Sequence, residues 1–239
     1  MSDQVIISVS DSGTMEVIMN FPSKMNCMGV EMLDALQRAA SDAEKDPQVK
    51  VVLFKGAGEK AFSTGANLKE FNALNDEEAY QWILRGNNLF NQVENISKPT
   101  IAYINGYAMG GGLELALACD FRVGTANTIL CSAELRHGWL PGWGGLGRLR
   151  RLIGEARAKE MIMLNTELNA QQAFDWGLLT RIDDGSGENL KSLIDHLSKI
   201  RTNAFAQAKV ALQNQNWSTY GSAIHYDALS VLDARRSKS

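Results

Sequence analysis

Residues 99–119, PTIAYINGYAMGGGLELALAC, set three consecutive glycines and one carboxylate inside the most apolar window of the chain. The length suits a membrane span, but a leading proline, Asn105, Glu114 and the glycines at 106 and 110–112 interrupt it. A strand, a turn and a short buried helix fit better. The expected flow is a strand over 99–106, a tight glycine turn, and a helix beginning near Gly112. A helix start offers unpaired N–H groups and the positive end of its dipole. Glycines remove the Cβ atoms that would keep a substrate oxygen away from those groups. The triplet thus suits an oxyanion hole, and it equally suits a close-packed turn. Glu114 falls at the N-terminal end of this helix, where the dipole favours a carboxylate.

The flanking sequence repeats the plan. TMEVIMN (14–20) alternates like a strand, and VKVVLFKG (49–56) reads as one buried on both faces. Between them Val30, Leu33, Leu36 and Ala40 recur at helical spacing. Strand, helix and strand in this order predict right-handed crossover units. AFSTGANLKEF (61–71) then supplies a second glycine loop that leads into a helix at NLKEF. Two loops can provide the two donors an oxyanion hole needs.

A helix over 76–96 follows, with Ala79, Trp82, Ile83, Phe90 and Val93 on its apolar side. Strands are expected at 120–125 and 129–134, the second closing on Glu134. Beyond Gly144 the pattern is helical over 145–154, 155–164, 170–176, 188–199, 204–215 and 218–235. One strand at 178–183 interrupts it, and the charged DARRSKS terminus is expected to fray. The periodicity supports a mixed α/β fold.

Composition removes several functions. The 239 residues carry a net charge of −3 with no basic block, so neither nucleic acid nor a membrane surface is an expected partner. Cys27, Cys119 and Cys131 form no CxxC pair and no zinc spacing. All three are expected to be buried free thiols, which fits a reducing, cytoplasmic compartment. MSDQVIISVS has no signal-peptide pattern. GWGGLG (142–147) matches a dinucleotide fingerprint, with Glu167 twenty residues on, but no strand precedes it. His196 reads as a surface or half-buried helical residue. His137, beside the Glu134 loop, suits either catalysis or loop structure. No GxSxG elbow is present.

In combination the segments FPSKMNCM, VKVVLFKGAGEKAFSTGANLKEF, residues 98–154 and TELNAQQAFDWGLLTRI resemble the enoyl-CoA hydratase/isomerase (crotonase) family. The resemblance implies a spiral of repeated β-β-α units over 1–183 that carries the acyl-CoA site. It also implies a C-terminal helical region, 184–239, for assembly into a homotrimer or hexamer. By it, the oxyanion amides are those of Ala66 and Gly111, and the catalytic acids are Glu114, working on water, and Glu134, delivering a proton to C2. Lys24, Ala66, Asn67, Leu68, Lys69, Gly111 and Trp143 would touch substrate. Neither metal nor cofactor is implied, coenzyme A being part of the substrate.

The implied reaction is reversible hydration of a 2-enoyl-CoA. Isomerisation, decarboxylation and C–C hydrolysis in the same site, or a non-catalytic binding role, are the alternatives. Several positions depart from the family pattern. Asn67 stands for an aspartate, Ala133 for a proline, and Trp143 and Leu146 for a small residue and a threonine. Trp143 and Trp139 would either narrow the acyl pocket or serve as core or interface aromatics. The C-terminal tail is short, which bears on coenzyme A closure and on the trimer contact.

Overall fold

The computed structural model describes residues 4–215, so the expected helix at 218–235, the DARRSKS terminus and His225 lie outside the described residues. Ten strands and eight helices are described. They begin with β1 (Val5–Val9), β2 (Thr14–Met19), α1 (Val30–Lys45), β3 (Val51–Gly56) and β4 (Ala61–Ser63). Next come α2 (Leu68–Phe71), α3 (Asp76–Glu94), β5 (Thr100–Ile104), β6 (Tyr107–Met109), α4 (Gly111–Ala118), β7 (Phe121–Thr125) and β8 (Ile129–Cys131). The rest are α5 (Gly145–Met163), β9 (Leu168–Asn169), α6 (Ala170–Asp175), β10 (Arg181–Asp183), α7 (Glu188–Leu197) and α8 (Thr202–Gln215).

Each repeat contributes one strand to each of two sheets. The six-stranded sheet runs β1-β2-β3-β5-β7-β10 and the four-stranded sheet β4-β6-β8-β9. Consecutive pairs β3/β4, β5/β6 and β7/β8 therefore stack turn upon turn, parallel within both sheets. This is the expected β-β-α spiral. Among the described residues no helix is long and apolar enough to cross a membrane.

The core forms where two periodicities meet. On α1, Met32, Leu33, Leu36, Ala39, Ala40 and Ala43 make one buried face. On α3 the buried positions are Trp82, Gly86, Leu89, Phe90 and Val93. Burying a Leu, Met or Phe side chain fully contributes about 1.5–3 kcal/mol, so these two faces dominate local packing. A capping box starts α3: Asn75 Oδ1 accepts the Glu78 N–H at 3.0 Å and Glu78 returns the bond to the Asn75 N–H.

Several readings need correction. β1 was not foreseen, because its alternation is misleading: Ile6, Ile7 and Val9 are all exposed on this edge strand. The stretch 99–120 holds a second strand, β6, between β5 and the glycines, and α4 begins at Gly111. The expected strand 129–134 stops at Cys131, and Glu134 opens a 3₁₀ turn, Glu134–His137. The strand at 178–183 shortens to β10. Cys27 is half-buried, whereas Cys119 and Cys131 are buried, and all three are free. The two helices expected at 145–154 and 155–164 are both found, since α5 is interrupted at Gly154, whose φ of +76° and ψ of 168° are not helical.

Candidate active site

The Ala66 loop is built from buried polar groups. Asn26, with φ +55° and no exposed surface, accepts the Phe21 N–H on Oδ1 and donates Nδ2 to the carbonyls of Ala57 and Ala61. Ser63 Oγ donates to Asn26 O at 2.8 Å and accepts the Gly65 N–H at 3.1 Å. Met28 N–H then donates to Gly65 O at 2.7 Å, and Asn67 N–H to Met28 O at 2.9 Å. These bonds bracket Ala66 without using its N–H, which has no acceptor among the described residues.

Asn67 has a structural task. Its Oδ1 caps α2 by accepting the Glu70 N–H, and its Nδ2 donates to Glu70 Oε2 at 3.2 Å. Glu70 Oε1 in turn accepts the Val30 N–H at the start of α1. Leu68 is half-buried. Lys24 and Lys69 are exposed at the rim of this loop, Lys24 immediately before Met25, whose carbonyl accepts the Thr64 N–H.

Each glycine of the triplet has its own reason. Gly110 sits at φ +51°, ψ −125°, which a side chain disfavours, and its N–H donates to Cys131 O. A methyl group on Gly111 would stand 2.3 Å from Trp143 Cζ3, and one on Gly112 would stand 2.1 Å from Ser63 O. The two loops touch: a methyl group on Gly65 would lie 2.6 Å from Gly111 N. Gly111 opens α4, so its N–H precedes every intrahelical acceptor. Two unclaimed N–H groups, on Ala66 and Gly111, thus belong to loops in van der Waals contact.

Glu114 is 3% exposed. Its Oε1 accepts the N–H groups of Trp143 and Gly145, each at 2.8 Å. Burial and then the charge of Glu134 push its carboxyl up to about 8, outweighing the opposing amides of Gly145 and Trp143 and the cation of Arg148. Glu134 is raised as well, chiefly by burial, against its own main-chain N–H, the Ser132 hydroxyl and His137. Ser132 Oγ donates to Glu134 Oε2 at 2.8 Å. Glu134 Oε1 is buried without a partner among the described residues, 3.5 Å from where a methyl group on Gly110 would stand. Glu114 therefore senses the charge of Glu134 beside the triplet, and a buried acid facing a second carboxylate retains its proton to unusually high pH.

Trp143 is 3% exposed. Its ring meets Trp82 at 4.6 Å and Phe90 at 5.3 Å between centroids, and it occupies the space a methyl group on Gly86 would need. Of the two readings of Trp143, its packing is that of a core aromatic that backs Gly111. Trp139 is half-buried, edge-on to Phe71 at 4.8 Å. His137 is exposed at 5.9 Å from Trp139, and His196 is exposed on α7. Gly142–Gly147 follows an irregular stretch with no strand before it, so the fingerprint lacks its structural context. No cluster able to hold a metal ion occurs among the described residues. Sequence reasoning passed over Ser132 and Arg148. A serine two residues before a candidate acid was the one available signal for the first, and Arg148 had none.

The raised Glu114 carboxyl has a measurable consequence. Its folded value, about 8, lies above the ordinary glutamate value of about 4.3. The folded state therefore holds this proton more tightly than the unfolded chain. The resulting stability is complete below pH ~4.3 and is lost as pH rises through about 8. Glu114→Gln keeps an oxygen for the two amides and removes the titration. Its melting temperature should fall less between pH 5 and pH 9 than that of the parent, by at least ~3 °C, the shift worth about 1 kcal/mol in a domain of this size. Parallel melting curves in calorimetry at the two pH values decide it.

Comparison with known proteins follows the same lines. The chain matches the sequence pattern of the enoyl-CoA hydratase/isomerase family over residues 10–233. It is 34% identical over 200 residues to a short-chain-enoyl-CoA hydratase of Clostridium acetobutylicum, covering 84% of this chain and 76% of that protein. A crotonyl-CoA hydratase of Syntrophomonas wolfei is 36% identical over 163 residues, 68% of this chain and 63% of the relative. In structure, the enoyl-CoA hydratase of Bacillus anthracis superposes with a TM-score of 0.92 at 30% identity, covering 96% of this chain and 90% of that one.

Proposed function

The chain belongs to the enoyl-CoA hydratase/isomerase family, and from that premise we propose that it adds water reversibly to a 2-enoyl-CoA, giving a 3-hydroxyacyl-CoA. The observation that supports this reading is the approach of Gly65 to Gly111, which brings together the two loops that carry the unclaimed amides, beside two raised carboxyls. The thioester oxygen would accept from the Ala66 and Gly111 N–H groups. Polarising that carbonyl makes C3 electrophilic and gathers enolate charge on the oxygen, where the amides are strongest. One carboxylate takes a proton from the attacking water while the other carboxyl supplies the C2 proton.

We assign the water to Glu114 and the C2 proton to Glu134. The raised values of the pair support one retained proton between them, which is the ionisation state this reaction needs. In this reading Ala66 and Gly111 hold the acyl head, Leu68 lies on the same loop, and the exposed Lys24 and Lys69 would meet the coenzyme A moiety. Asn67 acts on substrate only through the loop it caps, and Trp143 through the Gly111 backbone it supports. No metal or cofactor enters the chemistry. The region 184–239, with α7 and α8 at its start, is proposed as the assembly face of a homotrimer or hexamer, and the free cysteines support a cytoplasmic setting.

The test is direct. With crotonyl-CoA the protein should bleach the enoyl-thioester absorbance, and the product should gain the mass of one water. A product of unchanged mass with a moved double bond would favour the isomerase reading, which the unpartnered Glu134 Oε1 also accommodates. No turnover of short, medium or aromatic enoyl-CoA would overturn the proposal.

A further inference from the structure

The Glu114 carboxylate is positioned from a distance. The two amides that hold its Oε1 belong to Trp143 and Gly145, in the turn entering α5. Nothing in a turn of this kind is rigid by itself: Gly144, between the two donors, has φ +97°. The turn is fastened by Arg148, 4% exposed, whose Nη1 donates to Trp143 O at 2.8 Å. Arg148 is fastened in turn to α3. Its Nε donates to Glu94 Oε2 at 2.9 Å, and its Nη2 donates to the same oxygen at 2.6 Å and to Asn91 Oδ1 at 2.8 Å. Glu94 Oε1 also receives Arg151. Burial alone would raise the Glu94 carboxyl, but Arg148 and Arg151 hold it below the usual range, so the anchor stays ionised.

From this chain of contacts we infer that Arg148, locked by Glu94, is the positioning residue that sets the two-amide cradle of Glu114. A buried pair of this type is poor evidence for net stability, because desolvation offsets its attraction. Fixing geometry is the better account of its presence. The guanidinium ties α3 to the turn and adds its positive charge to the field at the acid, so a shift of Arg148 moves the turn that carries both donors against the carboxylate. Charged groups acting on Glu114 are Glu134 from the 3₁₀ turn and Arg148 from α5. Glu94 on α3 faces the same guanidinium, and β4, β5 and β6 carry no residue charged at neutral pH.

The inference rests on the hydratase reading, so its test has two readouts. In Arg148→Lys one donor can still reach Trp143 O, but the Glu94 and Asn91 bonds are lost. Crotonyl-CoA kcat should fall about 10–100-fold with KM within about twofold, the size of effect that misplacing a catalytic group produces. The acidic limb of the kcat profile should move to higher pH, because Glu114 must be ionised to take the water's proton, and a cation and well-aimed amides both favour that form. Arg148→Met should fall further. Without any activity assay, the pH at which the melting temperature stops declining should also rise in Arg148→Lys, and this difference should vanish in a Glu114→Gln background. Should Arg148→Met fail to fold, Arg148→Lys and Glu94→Gln carry the test alone. A folded Arg148→Lys with parental kcat, parental acidic limb and parental melting profile overturns the inference. A parent that melts as described but hydrates nothing overturns the function and leaves the melting readout to judge the positioning.

Discussion

Glu134→Gln should hydrate crotonyl-CoA about 10²–10⁴-fold more slowly than the parent, with KM little changed, because proton transfer in the transition state is the only interaction removed. The Glu134 side chain keeps its neighbours in the variant: an amide oxygen can still accept from Ser132 Oγ, which reaches Oε2 at 2.8 Å. The other carboxyl oxygen has no partner among the described residues, so no structural bond is broken there. Glu114→Gln should lose a similar factor while keeping its two amide bonds. The informative measurement is the double variant. Two carboxyls that are both raised by burial, one of them further by the charge of the other, act as a unit, so the second substitution should cost far less than the first. Strict additivity of the two losses would show that they act on separate steps. Retention of activity in Glu114→Gln with loss in Glu134→Gln would indicate a one-acid isomerase instead.

Of the two proposed acids, Glu114 stood out from its neighbours for a physical reason, whereas Glu134 entered through family likeness. A carboxylate within an apolar helix, as Glu114 is within GGLELALA, is costly unless something holds it, and such cost is readable from neighbours in sequence. The long helices α1 and α3 were legible for a related reason, since sixteen and nineteen residues repeat the period several times. β4, β6 and β8 are three residues each. No alternation can declare itself over that length, and these strands exist because β3, β5 and β7 stack above them. The same holds for the site's supports. Arg148 and Glu94 lie 54 residues apart, and only the crossing of α5 on α3 brings them together. Asn67 was read through the aspartate it replaces, yet it caps a four-residue helix, a local role that ASX side chains take whatever their charge. That two glycine loops could supply two donors was readable from the sequence, but the choice of Ala66 and Gly111 as the two amides came from family likeness alone. Spacing along a chain does not tell that Gly65 and Gly111 touch.

The oxyanion pair permits an equally demanding experiment at one of its two members. Gly111 is closed to substitution, since a methyl group there would stand 2.3 Å from the Trp143 ring, itself wedged against Gly86. Ala66 is open. The bonds that shape its loop run from Met28 N–H to Gly65 O and from Asn67 N–H to Met28 O, and the Ala66 N–H takes part in neither. Ala66→Pro therefore deletes one donor without deleting a structural hydrogen bond. Losing one of two oxyanion donors costs about 10²–10³ in kcat in a comparable site. The same loss is expected here, with KM changed far less, because enolate charge develops only after binding. Ala66→Gly keeps the N–H and controls for the side chain, and it should remain within about threefold of the parent on the same reasoning. A melting curve for Ala66→Pro separates loss of the donor from loss of the loop. If the proline variant melts with the parent and turns over crotonyl-CoA at the parental rate, the Ala66 amide does not touch the thioester oxygen. The pairing of two loops, on which the whole assignment depends, would then have to be abandoned.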